Sequence, residues 1–304
     1  MGRPLRLHRG ISRWVLANLQ IHLGLHFLWF VLFWNPSFPV PLAFMKLPFR
    51  QATVQRSLRK PEACVVPSLQ TASIAALYRA ARVGGDFFDF QAIQGRLVFF
   101  LIDIAGKREE ALDIAAGLQQ VFRTEGIKLF AGSPLNEADA LSDLTILVNR
   151  ALLQLANGVR YAPAFLGCYE EDLGTLFYIN AGHTPGLLKD RDGITKLEAC
   201  GLPLGLFSHA THDAQMSVLE PSAALLIVSK GLVESRYGHK EFGLERVREN
   251  LEKMDFKNAN ELSSGILDAV QEFTRNTSGQ NDVTALSIMR SAAAALAATN
   301  GGRA

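Results

Sequence analysis

Four short stretches place a charged side chain beside glycine where an apolar run begins or ends. They are VGGDFFDF (83–90) with Asp86 and Asp89, LIDIAGK (101–107) with Asp103, IVSKGLVES (227–235) with Lys230, and SGQNDVTAL (278–286) with Asp282. Glycine lets the backbone approach a bound ion or phosphate, and hard cations such as Mg²⁺ and Mn²⁺ take oxygen ligands from a few carboxylates plus waters. Taken singly, each stretch is equally a turn with a solvated acid. Lys230 is the odd member, because a buried strand running into a polar residue plus Gly is where enzymes often place a metal-binding carboxylate.

The surrounding pattern indicates what must position these residues. Residues 95–106 read as a strand ending at an acid and a glycine, followed by helical spacing of apolar residues over 109–124 and again over 136–157. AFLGCYEE and TLFYINA flank Asp172-Leu173-Gly174, which predicts a hairpin within 164–181. Residues 217–229 and 283–289 supply later strands, and 243–254 and 258–274 later helices. Hairpins mixed with paired helices favour an α+β sandwich over a doubly wound parallel sheet.

Composition narrows the function classes. The chain has 304 residues and a formal net charge of +2 with acids and bases interspersed, so no basic face argues for nucleic acid. Cys64, Cys168 and Cys200 form no CxxC pair and are odd in number, which argues against a disulfide framework or zinc knuckle and favours a cytoplasmic setting for the main domain. Residues 14–34 contain no Lys, Arg, Asp or Glu, long enough for a helix to cross a hydrocarbon core of ~30 Å. Two readings of this front segment stay open: an uncleaved membrane anchor, or a segment foreign to the native protein if translation begins at Met45. Basic residues on both sides leave its orientation undetermined. The expected organisation is an apolar segment 1–44, a linker 45–61, a main domain 62–290 and a low-complexity tail 291–304. Dimerisation through the linker is open, with too few heptads to argue it.

Over roughly 62–290 the ordered segments ALYRAARVGGDFFDF, FFLIDIAGKREEALDIAAGLQQVFR, FLGCYEEDLGTLFYINAGHTPGLL, GLPLGLF, LLIVSKGLVESRYGHKEFGLERV and NDVTALSIM resemble the SpoIIE-like branch of the PPM-type metal-dependent protein serine/threonine phosphatases. The resemblance implies a β-sandwich of two antiparallel sheets flanked by helices, with metals at one end. It implies one or two Mn²⁺ or Mg²⁺ ions, with Asp103 as the bridging ligand, Asp86 and the Ile104 carbonyl at one ion and Asp282 at the other. The implied substrate is a phosphorylated regulatory protein of the anti-sigma-factor-antagonist type, in bacterial partner switching.

Against the family pattern, Lys230 stands where an Asp ligand is usual, Asn281 replaces the first acid of an Asp-Asp pair, and Lys107-Arg108 replaces a Gly-rich turn. Each departure makes the site less negative. Three readings of Lys230 follow. Its ammonium replaces a lost metal between Asp103 and Asp282, giving a catalytically dead, protein-binding pseudophosphatase; or it contacts the substrate phosphate as a point charge beside a remaining ion; or it points to solvent. His183 in AGHTPG, Glu234, Phe242 and Gly243 read as architecture.

Overall fold

Strand β3 (Arg96–Asp103) shows how this sequence builds its layers: Leu97, Phe99 and Leu101 belong to one buried cluster, whereas Val98, Phe100 and Ile102 belong to another. A strand covered on both faces needs apolar residues at every position, which is why RLVFFLID lacks the polar alternation of a half-solvated strand. The same holds for β9 (Ala224–Val228), with Leu225 and Ile227 facing between the sheets and Leu226 and Val228 facing helices.

The computed structural model describes residues 59–80, 85–156, 161–275 and 281–292, all within the unit running from Arg56 to Ala304. The anchor expected at 14–34, the linker up to 58 and most of the tail lie outside the described residues. Among the described residues no helix is long and apolar enough to cross a membrane.

The remaining strands are β1 (Ala72–Arg79), β2 (Asp86–Ile93), β4 (Ala164–Glu170), β5 (Thr175–Ala181), β6 (Gly186–Asp190), β7 (Gly193–Leu197), β8 (Gln215–Val218), β10 (Arg236–Tyr237), β11 (Lys240–Glu241) and β12 (Val283–Arg290). They form two five-stranded antiparallel sheets, ordered β1-β12-β9-β6-β7 and β2-β3-β4-β5-β8, while β10 and β11 make a small separate ribbon. Helices α1 (Arg108–Phe130) and α2 (Glu137–Leu155) cover the second sheet through Leu118, Phe122, Leu141 and Leu144. After the single turn α3 (Lys230–Val233), helices α4 (Gly243–Lys253) and α5 (Ala259–Phe273) cover the first through Val247, Leu251, Leu262 and Ile266. The architecture is the expected α+β sandwich, with helices on both outer faces.

Local chemistry fixes several boundaries. The Asn136 side chain accepts from the backbone N–H of Ala138 and Asp139, and Asn258 from Glu261, capping α2 and α5. At the far end of α4, Lys189 Nζ donates to the carbonyls of Leu251 and Glu252 at 2.8 and 3.2 Å, a cation where the helix dipole is negative. Two local expectations differ. Residues 217–229 are not one continuous run: a turn with Ser222 at φ 70° separates β8 and β9, which join different sheets. Lys230 opens a helical turn rather than a simple glycine turn.

Candidate metal centre

Register builds the site. In the β2–β3 pair Asp86 lies directly opposite Asp103, a separation at which side chains on one face interact. Just before this pair, the Gly85 carbonyl accepts from Ile104 N–H at 2.9 Å. A Cβ on Gly85 would fall 1.9 Å from the Ile104 oxygen, so only glycine leaves that carbonyl where it is. On the facing sheet, β9 runs out through Ser229 into Lys230 and Gly231, beside the start of β12 at Asp282. A Cβ on Gly231 would fall 2.1 Å from the Asp282 carbonyl oxygen. Both glycines therefore serve close backbone approach.

The two sheet ends meet around a cavity of about 170 Å³, lined by Asp86, Asp103, Ile104, Lys230, Glu234 and Asp282 among others. The structure thus brings Asp86, Asp103, Ile104, Lys230, Asn281 and Asp282 to one cavity, whereas Asp89, Lys107 and Arg108 do not line it. Their surroundings differ. Asp282 is 4% exposed, and Tyr78 donates its hydroxyl to Asp282 Oδ2 at 2.5 Å. Thr284 Oγ1 donates to Asp86 Oδ2 at 2.7 Å. Burial, reinforced by the charges of Asp103 and Asp282 and opposed by hydrogen bonds from Ser229 and Thr284, pushes the Asp86 carboxyl up to about 7. Asp103 is raised for the same first reason, with Lys230 acting against the rise and Glu234 and Asp282 adding to it.

Lys230 stands at the cavity mouth. Its side chain is 57% exposed, and Nζ lies 3.5 Å from Glu234 Oε1, one turn along α3. Glu234, read from sequence as architecture, is thus also part of the rim. Asn281 lines the same cavity. His183 fits the structural role expected of it: its backbone N–H donates to Asn180 Oδ1 at 2.8 Å, its Nδ1 lies 3.1 Å from the Thr184 carbonyl, and burial lowers its imidazole to about 4. Tyr78, Ser229 and Thr284 were not identified from sequence. Hydroxyl residues in apolar strands carry no local mark, and only the strand register shows that they face the acids.

The donor set suits a hard divalent cation: carboxylates and a backbone carbonyl, all oxygen, with the Asp86 carboxyl driven toward neutrality chiefly by burial. Among the described residues no three His, Cys, Asp or Glu side chains are already drawn together around a point.

Comparison with known proteins agrees with this geometry. Residues 93–291 match the family model for Stage II sporulation protein E (SpoIIE). Protein IcfG from Synechocystis sp. is 26% identical over 213 residues, covering 61% of this chain and 33% of its own length; the chain therefore spans about a third of that curated relative. The RsbU and RsbW domains of Rv1364c from Mycobacterium tuberculosis superpose with a TM-score of 0.59 at 27% identity, over 73% of this chain and 62% of that one. The PP2C phosphatase domain of SpoIIE from Bacillus subtilis, with a fragment of its regulatory domain, superposes with a TM-score of 0.58 at 16% identity, over 72% and 63%. At that identity the likeness speaks for the fold. From the matched residues and the shared sandwich, the chain belongs to the SpoIIE family, within the SpoIIE-like branch of the PPM-type (PP2C) phosphatases.

Proposed function

We propose that this chain is a metal-dependent protein phosphatase that hydrolyses phosphoserine or phosphothreonine on a bacterial regulatory protein of the anti-sigma-factor-antagonist type. The observation that carries the reading is the convergence of Asp86, Asp103, Ile104 and Asp282 on one cavity with Lys230 at its mouth. Membership of the SpoIIE family supports hydrolase chemistry, and an RsbU–RsbW protein and SpoIIE among the similar structures support a partner-switching setting. A similar structure described as RsbX in complex with magnesium supports a divalent ion; it shares 15% identity, with a TM-score of 0.55 over 75% of this chain and 100% of that one.

In this reading Asp103, opposite Asp86, bridges the two sides of the site, with Asp86 and Ile104 O on one side and Asp282 on the other. When bound there, Mg²⁺ or Mn²⁺ supplies an activated water and positive charge for the phosphoryl oxygens. The protein's own contributions are positional. The β2–β3 register holds the acids, Gly85 fixes the carbonyl, and Lys230 offers a mobile cation to an incoming phosphate from the rim. Its exposure and its pairing with Glu234 favour this role over one as a buried substitute for the metal.

The test is turnover of a phosphothreonine peptide by the full chain in Mn²⁺, with Lys230→Asp alongside. Hydrolysis by the wild type supports the phosphatase reading. Hydrolysis only by Lys230→Asp makes the natural chain a pseudophosphatase, a protein-binding module in which the lysine silences the site.

A further inference from the structure

Two carboxylates at the sandwich end accept from hydroxyls of the β1–β12 pair, Asp282 within its own sheet and Asp86 from across the sandwich, and the grip follows from strand register. Tyr78 on β1 and Thr284 on β12 are directly opposed residues. Tyr78 donates to Asp282 Oδ2 and Thr284 Oγ1 to Asp86 Oδ2. One cross-strand pair therefore holds two acids, one from each sheet. Thr284 is itself fixed by the end of β9: its N–H donates to Ser229 Oγ at 3.1 Å, and its carbonyl accepts from Ser229 N–H at 3.0 Å. Ser229 and Thr284 are fully buried, so neither side chain has solvent as an alternative partner.

Neutral donors do something that a cation could not. A guanidinium in the place of either hydroxyl would orient the carboxylate but also cancel its charge, leaving little attraction for a divalent ion. A hydroxyl fixes one oxygen, and with it the carboxylate plane, while the group keeps its negative charge.

We propose that Tyr78 and Thr284 are positioning residues that orient Asp282 and Asp86 toward a divalent ion without neutralising them. The inference rests on the metal-centre reading above. It is tested by Mn²⁺ calorimetry on the full chain, comparing the wild type with Thr284→Val, Thr284→Ser and Tyr78→Phe, with metal-free melting curves for each. The expected result is roughly tenfold weaker Mn²⁺ binding for Thr284→Val. Tyr78→Phe should likewise lose about tenfold. Thr284→Ser, which keeps the hydroxyl, should return to within about twofold of wild type. Wild-type Mn²⁺ binding with unchanged affinity in Thr284→Val and Tyr78→Phe overturns the positioning role alone. So does an equal loss in Thr284→Ser and Thr284→Val: Thr284→Ser keeps the hydroxyl, and a loss there comes from altered packing. Absence of Mn²⁺ binding by the folded wild type overturns the metal-centre reading, and the positioning role with it.

Discussion

Asp86 and Asp89 lie three residues apart on β2 and meet opposite fates. Asp89, fully buried, receives Arg123 from α1 through Nε at 2.7 Å and Nη2 at 3.2 Å. Arg123 also reaches Glu62, which ties the chain entering the domain to the same helix. Asp86 has hydroxyls where Asp89 has a guanidinium, and among the described residues no basic side chain forms an ion pair with it. Among the described residues, one strand thus carries an acid whose charge an arginine matches and an acid that only hydroxyls hold. The first joins a helix to a sheet; the second is in a state that an external cation would relieve.

The contrast is sharpest for stability. Arg123→Met leaves Asp89 buried without its cation, and urea unfolding should show a loss of about 3–5 kcal/mol. A loss below about 1 kcal/mol would mean that water reaches Asp89 and that the pairing is not structural.

Acid and imidazole also separate with pH. His183, lowered to about 4 from 6.5 by burial, contributes stability that is fully present above pH 6.5 and is lost as pH falls toward 4, by up to about 3 kcal/mol. Asp86, raised from 3.8 to about 7, slopes the other way in metal-free protein: its contribution is present below pH 3.8 and is lost as pH rises through 7. Urea unfolding from pH 7.5 to 4.5 should show the decline toward acid most clearly in Asp86→Asn, where the opposing slope is gone, and least in His183→Gln.

At pH 7.5 without metal, Asp86→Asn should be more stable than wild type by on the order of 1–2 kcal/mol, because it removes an ionised group that burial disfavours. Destabilisation would place Asp86 with Asp89 as a structural acid. The smallest effect belongs to Lys230→Ala, which removes an exposed contact with Glu234 and a solvent-screened attraction to Asp103 and should change stability by less than about 0.5 kcal/mol. A larger loss by thermal melting would show the ammonium matching buried charge after all.

Much of this was legible in the sequence, for physical reasons. Helices α4 and α5 fell within a residue of their expected ends because Gly243 and the cap Asn258 mark them locally. Asp86 and Lys230 could be located because each adjoins a glycine whose side-chain absence has a steric cause, Gly85 and Gly231. What stayed hidden depends on pairing between distant residues. The approach of Tyr78 to Asp282 spans 204 positions and that of Thr284 to Asp86 spans 198. Strand β1 and the β6–β7 hairpin were not singled out, since their residues lack the clean alternation of a half-exposed strand. The allocation of β8 and β9 to different sheets likewise follows from tertiary pairing rather than from local propensity.

The most direct test of the claim that these acids form a metal centre is a Mn²⁺ titration of the full chain at pH 7.5, beside Asp103→Asn. One or two ions bound by the wild type and none by the variant is the predicted result. No binding by a folded wild type, or equal binding by the variant, would contradict it.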